Sequence, residues 1–185
     1  MESRMVARTI GVGILLVFGL LNWAVAADSV DVTKDVKEAQ ETIAVFKKTD
    51  PELSRFFDHA VGYAVFPTVV KGAVGVGGAS GSGVVFEKGK AVGKAHLTQG
   101  TIGAQIGGQT YSEVIFFETA SALTDFKKGA LALAAQVSAV AASAGASKDA
   151  KYQDGVAVFT HEKGGLMAEA SVGGQKFRFE PFGKK

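Results

Sequence analysis

Apolar residues recur every three or four positions between Thr33 and Lys48, which is the period of an amphipathic helix. Thr33 suits the N-cap of such a helix, and Lys47 and Lys48 suit the negative end of its dipole. The apolar stripe consists of Val32, Val36, Ala39, Ile43 and Phe46. This pattern predicts an N-terminal helix with one face toward the rest of the protein.

Two shorter helices are predicted from local signals. Asp50 and Pro51 suit the N-cap and the first position of a second helix, which is expected to end near Ala60. Ser121–Gly129 is predicted to be a short mid-chain helix with Gly129 as its stop. The segment Ala130–Gly145 is ambiguous between helix and strand, and we predict a strand at its centre.

The pattern elsewhere changes to alternation and short apolar runs, which are typical of strands. The predicted strands are 61–66, 72–79, 83–87, 90–96, 101–109, 113–118, 156–160, 166–172 and 176–179, with glycine turns between several of them, including Lys163-Gly164-Gly165. Gly62–Phe66 is echoed by Gly155–Phe159, which suggests two related hairpins in comparable places. The predicted fold class is α+β, with a curved antiparallel or barrel-like sheet, an N-terminal helix pair and a short mid-chain helix.

A glycine-rich stretch, GAVGVGGASGSG at Gly72–Gly83, lies within these predicted strands. Its valines distinguish it from a flexible linker, and its glycines are not gathered in one turn before a helix as in a phosphate-binding loop. Strands with such small faces let another backbone or a ligand come close. The candidate ligand contacts here are Lys71, Gly75, Gly77, Gly78, Gly81 and Gly83.

Composition limits the possibilities further. The 185 residues suffice for one domain, and 47% hydrophobic with 21% charged residues is typical of a globular protein. A net charge of +2 is too small to indicate nucleic-acid binding. Because the chain has no cysteine, no disulfide stabilises it.

The N-terminus has the features of a secretion signal. Arg4 and Arg8 precede the apolar run Ile10–Leu21, and Ala24–Ala26 offers a small-residue cleavage pattern. We therefore predict a signal peptide at residues 1–27 and a domain at 28–185, with the cut before residue 27 or residue 28. The protein would then be exported and lie in the periplasm, in the cell envelope or outside the cell. The alternative is an uncleaved N-terminal anchor.

No arrangement of residues indicates catalysis or metal binding. His59, His96 and His161 are far apart and lack the spacing of a metal site. Ser80 and Ser82 do not fit the G-x-S-x-G pattern of a nucleophile elbow, and no pair of carboxylates is marked out as acid and base. We predict no catalytic residue, no metal, no cofactor and no enzymatic activity.

The lysines of the first predicted helix are the clearest candidates for recognition. An apolar stripe flanked by Lys34, Lys37, Lys47 and Lys48 is typical of a helix that lies on an anionic membrane. Acidic residues interleave with these lysines, which weakens lipid attraction. The alternative is a helix that simply covers one face of the sheet.

The blocks GYAVFPTVVKGAVGVGGASGSGVVF and TIGAQIGGQTYSEVIFF resemble the SYLF domain, also called the Ysc84 actin-binding domain. The resemblance extends from about Val36 to Phe179 and is greatest to exported bacterial members. It implies a non-enzymatic module that binds phosphoinositides or other anionic phospholipids, with the helix lysines named above as contacts. Because some members bind actin, the alternative is a structural or protein-interaction module of the envelope.

Overall fold

A computed structural model describes the backbone of residues 15–131, 133, 139–165 and 174–183, and the side chains of these except 15–30, 73–76, 101–107 and 164–165. The chain divides into two units, Met1–Lys34 and Asp35–Lys185. The elements are α1 Leu15–Thr49, a 3-10 turn Pro51–Leu53, α2 Ser54–His59, β1 Gly62–Glu87, β2 Lys90–Phe117, α3 Ala120–Lys127, β3 Val140–Ala141, β4 Val156–Gly165 and β5 Gln175–Pro181.

The first helix is longer than its apolar period predicts. It begins at Leu15, inside the predicted signal peptide, and ends at Thr49. Within the described part of the chain, no helix is both long enough and apolar enough to span a membrane. Residues 1–14 lie outside the described residues, and the signal peptide stays a prediction.

The two shorter helices are confirmed, and their caps explain where they begin. The Asp50 carboxylate accepts a hydrogen bond from the Glu52 amide at the start of the 3-10 turn that leads into α2. Thr119 caps α3 in the same way through the Ala122 amide. Gly129 follows α3 with φ of +70°, a conformation that favours glycine and ends the helix.

The predicted meander of short strands is wrong. β1 and β2 instead form one long antiparallel hairpin, in which Gly62 pairs with Phe117 at one end and Glu87 with Lys90 at the other. The chain turns only at Lys88 and Gly89, both with positive φ, as a tight hairpin requires. The glycines that suggested turns therefore lie inside a continuous strand.

The long hairpin folds back on itself, and glycines make this possible. A Cβ atom on Gly83 would lie 2.3 Å from the carbonyl oxygen of Val65, and one on Gly81 would lie 2.9 Å from that of Thr68. The two halves of β1 thus meet backbone against backbone, at a distance that no side chain permits. This close approach gives the sheet its curvature.

The C-terminal half of β2 lies at the centre of the sheet, between the first part of β1 and β4. β5 pairs with the N-terminal half of β2, and β3 pairs in parallel with β4 at the sheet edge. This arrangement confirms the α+β class with a curved sheet. The echoed segments Gly62–Phe66 and Gly155–Phe159 flank the same part of β2, so they do occupy comparable places.

Three predictions on the C-terminal half of the chain differ from the structure or lie partly outside the described residues. The turn predicted at residues 163–165 is wrong, because β4 continues to Gly165. The predicted strand 166–172 lies outside the described residues. In the ambiguous segment 130–145, the short strand Val140–Ala141 is the only helix or strand among the described residues. Residues 132 and 134–138 are not described.

The core has two parts, one on each face of the sheet. The inner cluster lies within the fold of the sheet and under α3, and it includes Phe66, Leu97, Ile115, Phe117, Phe126 and Phe177. The outer cluster lies between the sheet and the helices α1 and α2, and it includes Phe46, Leu53, Phe56, Phe86, Phe116 and Phe159. Successive residues of one strand feed both clusters, since side chains alternate between the two faces.

We expect Gly83→Ala to lower the free energy of unfolding by about 2 kcal/mol or more, because the added methyl group meets backbone that cannot move aside. Gly72→Ala in the same strand is the matched control, since a Cβ there has no atom within 4 Å. Urea denaturation of both variants tests this. Equal stabilities of the two variants would show that the halves of β1 are not in close contact.

Candidate functional site

The lysines predicted on α1 lie in different surroundings. The side chains of Lys34 and Lys48 are exposed, and Lys37 is exposed with an ion pair to Glu41 at 3.9 Å. Lys47 is half-buried, with Nζ 4.8 Å from the ring centroid of Phe57 on α2. Lys47, at the end of α1, therefore contacts α2.

The apolar stripe of α1 packs onto the sheet. Ala39 and Phe46 are fully buried in the outer cluster, and Val36 and Ile43 pack against it. This is the arrangement of a helix that covers the sheet, which the sequence left open as the alternative. Val45, 43% exposed, is the one large apolar side chain of α1 that is described as exposed. Deep insertion of the stripe into a bilayer would require α1 to leave the core.

The glycines predicted as ligand contacts also have a structural role. The space in front of Gly81 and Gly83 is filled by backbone of the other half of β1, and a Cβ on Gly78 would lie 3.1 Å from the carbonyl oxygen of Gln99. Gly77 is half-buried, and Gly75 lies in the stretch whose side chains are not described. The described glycines thus shape the sheet.

A cavity of about 310 Å³ lies beside the contact between the two halves of β1. Within it the Ser82 hydroxyl is 3.1 Å from His96 Nδ1, and Lys94 forms an ion pair with Asp35 at 2.5 Å. Among the described residues, no carboxylate bonds the other ring nitrogen of His96. The contact therefore lacks the third member of a catalytic triad.

Lys71 is not on the surface. It is 5% exposed and faces inward, where a set of polar side chains occupies the inner face of the sheet. This inner polar cluster consists of Lys71, Gln99, Gln109, Tyr111, Glu113 and Gln175, all at most 5% exposed. Gln175 Nε2 on β5 donates a hydrogen bond of 2.9 Å to Glu113 Oε2 on β2.

Burial raises the pKa of Glu113 to about 7, although the hydrogen bond from Gln175 and the charge of Lys71 act in the opposite direction. Burial also raises the pKa of Tyr111, assisted by the Glu113 charge and opposed by Gln175. Oε1 of Glu113 has no hydrogen-bond partner among the described residues. The cluster therefore holds a carboxyl group that favours its neutral form.

A loop at residues 143–150 is fixed to the start of α2 from two sides. The Asp50 carboxylate accepts hydrogen bonds from the amides of Gly145 at 3.3 Å and Ser147 at 2.7 Å. Arg55 Nη2 donates to the carbonyl oxygens of Ser147, Lys148 and Ala150 at 2.5, 2.8 and 3.1 Å. We call these bonds the loop clamp. They hold a loop that is distant in sequence against the end of α1.

The two side chains of the loop clamp differ in exposure. Asp50 is fully buried and Arg55 is exposed. Burial acts to raise the pKa of Asp50, but the hydrogen bonds from Ser147, Gly145 and Glu52 outweigh it and hold that pKa below its ordinary value. The carboxylate is thus ionised and serves the backbone of the loop.

A cavity of about 480 Å³ opens beside the loop clamp. It is lined by Arg55, Phe56, His59, Glu118, Ala150, Lys151 and Tyr152. Lys47 and Lys48 shortly precede Asp50, and Lys148 lies in the clamped loop. We call these three lysines, together with Arg55 and Lys151 of the cavity lining, the basic end. Sequence analysis identified only its two helix lysines. A pairing signal between residues 50–55 and 145–151 would have been needed to find the others.

No group of three or more histidine, cysteine or acidic side chains that could hold a metal ion occurs in the described part of the chain. The absence of a metal site stays a prediction. The chemistry that the described residues offer is anion attraction at the basic end and a buried acid in the inner polar cluster.

Comparison with known proteins finds a family match over part of the chain. Residues 98–181 match the Ysc84 family, described as "Las17-binding protein actin regulator". A relative from Aeromonas veronii, named beta cell expansion factor A, is 30% identical over 154 residues. The alignment covers 78% of this chain and 58% of the relative, so the chain spans little more than half of that protein. The resemblance to the Ysc84 (SYLF) family that was predicted from the sequence is confirmed.

We expect Glu113→Gln to remove a pH dependence of stability. The unfolded chain releases the Glu113 proton above about pH 4.5, whereas the folded protein retains it to about pH 7. The contribution of Glu113 to stability is therefore greatest below pH 4.5 and falls by about 3 kcal/mol as pH rises to 7, at about 1.4 kcal/mol per unit. The variant should gain stability over the native protein at pH 8 but not at pH 4.5.

Urea denaturation of both proteins at pH 4.5, 6 and 8 measures this difference. Glu162→Gln, at an exposed acid on β4, is the control and should change stability little at every pH. A constant difference between the native protein and Glu113→Gln across the three pH values would contradict an elevated pKa at Glu113.

Proposed function

We propose that this protein is a non-enzymatic module that binds anionic phospholipid at a membrane surface, in the cell envelope of an organism that exports it. The observation that carries the proposal is the grouping of Lys47, Lys48, Arg55, Lys148 and Lys151 at the basic end. Four of these side chains are exposed and Lys47 is half-buried.

Electrostatics favours adsorption of the basic end to a negative surface. Each lysine or arginine close to an anionic membrane contributes about 1 kcal/mol of attraction. Three exposed acidic side chains, Glu52, Asp58 and Asp149, lie along the same segments and reduce the total. The expected binding is modest in strength and falls steeply as salt screens the charges.

The apolar contribution is expected to be small. The stripe of α1 is committed to the outer cluster. Among the residues whose side chains are described, the exposed large apolar ones are Val45, Val61 and Val70. The protein would therefore lie on the headgroups, with the basic end as the contact surface. This differs from insertion of an amphipathic helix, which buries apolar area among the acyl chains.

A second candidate is a protein-binding module, which the family description favours because it names Las17 binding and actin regulation. A groove of about 730 Å³ beside α1 offers a surface for a partner. Its lining includes Glu38, Glu41 and Glu162, so its charge is opposite to that of the basic end. The two candidates therefore place recognition on different surfaces.

Vesicle flotation tests the lipid proposal. The native protein should float with phosphatidylglycerol vesicles at low salt, and Lys47→Gln/Lys48→Gln/Lys148→Gln should lower the bound fraction several-fold. Raising the salt concentration to 0.5 M should have the same effect on the native protein.

The matched control is Lys90→Gln/Lys163→Gln/Lys176→Gln, which removes three exposed lysines outside the basic end. It should float nearly as well as the native protein. Absence of flotation of the native protein at low salt would contradict the lipid proposal. Equal loss in both variants would show that only net charge matters, and that the basic end is not the contact surface.

A further inference from the structure

We propose that the cavity beside the loop clamp is a binding site for one phosphate group, held by Arg55, His59 and Lys151. The ligand class is a phosphate ester, whether from a lipid headgroup or from a soluble compound. The lipid form of the inference rests on the function proposed above, and the soluble form does not.

Arg55 is the fixed cation of this site. Its three hydrogen bonds to the loop all use Nη2, and its guanidinium carbon lies 4.9 Å from the ring centroid of Phe56. Among the described residues, Nε and Nη1 make no hydrogen bond. The side chain is therefore immobilised without a phosphate and still has donors to offer, so less side-chain entropy is lost when an oxyanion binds.

His59 is oriented by the same helix turn. Its Nδ1 lies 2.7 Å from the carbonyl oxygen of Arg55, and since a carbonyl can only accept, Nδ1 carries the proton of this bond. The other ring nitrogen, Nε2, then accepts in the neutral ring and donates in the protonated ring.

The aromatic wall of the cavity supplies a further donor. The ring of Tyr152 lies 5.3 Å from that of buried Phe56, centroid to centroid. Burial raises the pKa of Tyr152, as does the charge of Glu118, while Arg55 acts in the opposite direction. The hydroxyl thus stays protonated at neutral pH.

The balance of charge at the cavity favours an anion. Its lining contains the cations Arg55 and Lys151, a histidine that can become cationic, and one carboxylate, that of Glu118. The volume of about 480 Å³ accommodates a phosphate together with part of the group esterified to it. Of the four cavities described, this one gathers the most cationic side chains.

The test compares Lys151 with an exposed lysine outside the basic end. Lys151 lines the cavity, whereas Lys176 on β5 does not. Isothermal titration calorimetry with inorganic phosphate and with glycerol phosphate should give saturable binding to the native protein. Lys151→Gln should weaken it about tenfold, as expected for a lost charge-assisted hydrogen bond. Lys176→Gln should change it by less than about twofold.

Arg55 is unsuitable as the primary test, since its substitution also frees the loop. His59→Gln is the second cavity variant, and it should also weaken phosphate binding. No saturable binding, or an equal effect of Lys151→Gln and Lys176→Gln, would overturn the phosphate site.

Flotation with phosphatidic acid and with phosphatidylglycerol vesicles of equal charge density identifies the source of the phosphate. Stronger binding to phosphatidic acid that is lost in Lys151→Gln supports a lipid monoester. Phosphate binding without any flotation supports a soluble ester and leaves the site standing while the membrane proposal fails. Flotation without phosphate binding supports the membrane proposal and overturns the phosphate site.

Discussion

The contact of β1 with itself is the constraint on which the rest of the fold depends. A carbonyl oxygen 2.3 Å from the place of a Cβ leaves room for glycine alone at position 83. Because the hairpin closes there, its two halves enclose the inner cluster, and the outer face is left for α1 and α2. Without that approach, the long strands would form a flat ribbon with little core on either face.

Local signals in the sequence predicted the two short helices and the end of α1, but not the beginning of α1 at Leu15. The end of α1 and the start of the 3-10 turn that leads into α2 follow from Asp50 and Pro51, because capping depends on neighbouring residues only. The continuity of β1 could not be predicted in this way. A glycine inside a strand and a glycine in a turn have the same local preferences, and only pairing with β2 across the whole hairpin decides between them.

Only part of the candidate site could be predicted, because its contacts, like the continuity of β1, depend on pairing between segments that are distant in sequence. A helical period identifies the lysines of α1 but not which of them meet other cations. Arg55 bonds to Ser147, 92 positions away in sequence, and the sequence of neither segment predicts this contact. The inner polar cluster was not predicted, because the alternation of polar and apolar residues that includes Gln109 on β2 does not show which face of the strand is buried. Its inward direction depends on the fold of the sheet.

Asp50 and Arg55 show how structural and recognition roles are divided at the basic end. The carboxylate of Asp50 is fully buried and bonded to loop amides, so its charge is directed into the protein. Arg55 bonds the loop carbonyls through one nitrogen and remains exposed. The same loop is thus bonded by the buried carboxylate of Asp50 and by the exposed guanidinium of Arg55. Because the positive charge of Arg55 belongs to the loop clamp, an anionic ligand that binds there contacts a surface that is already ordered.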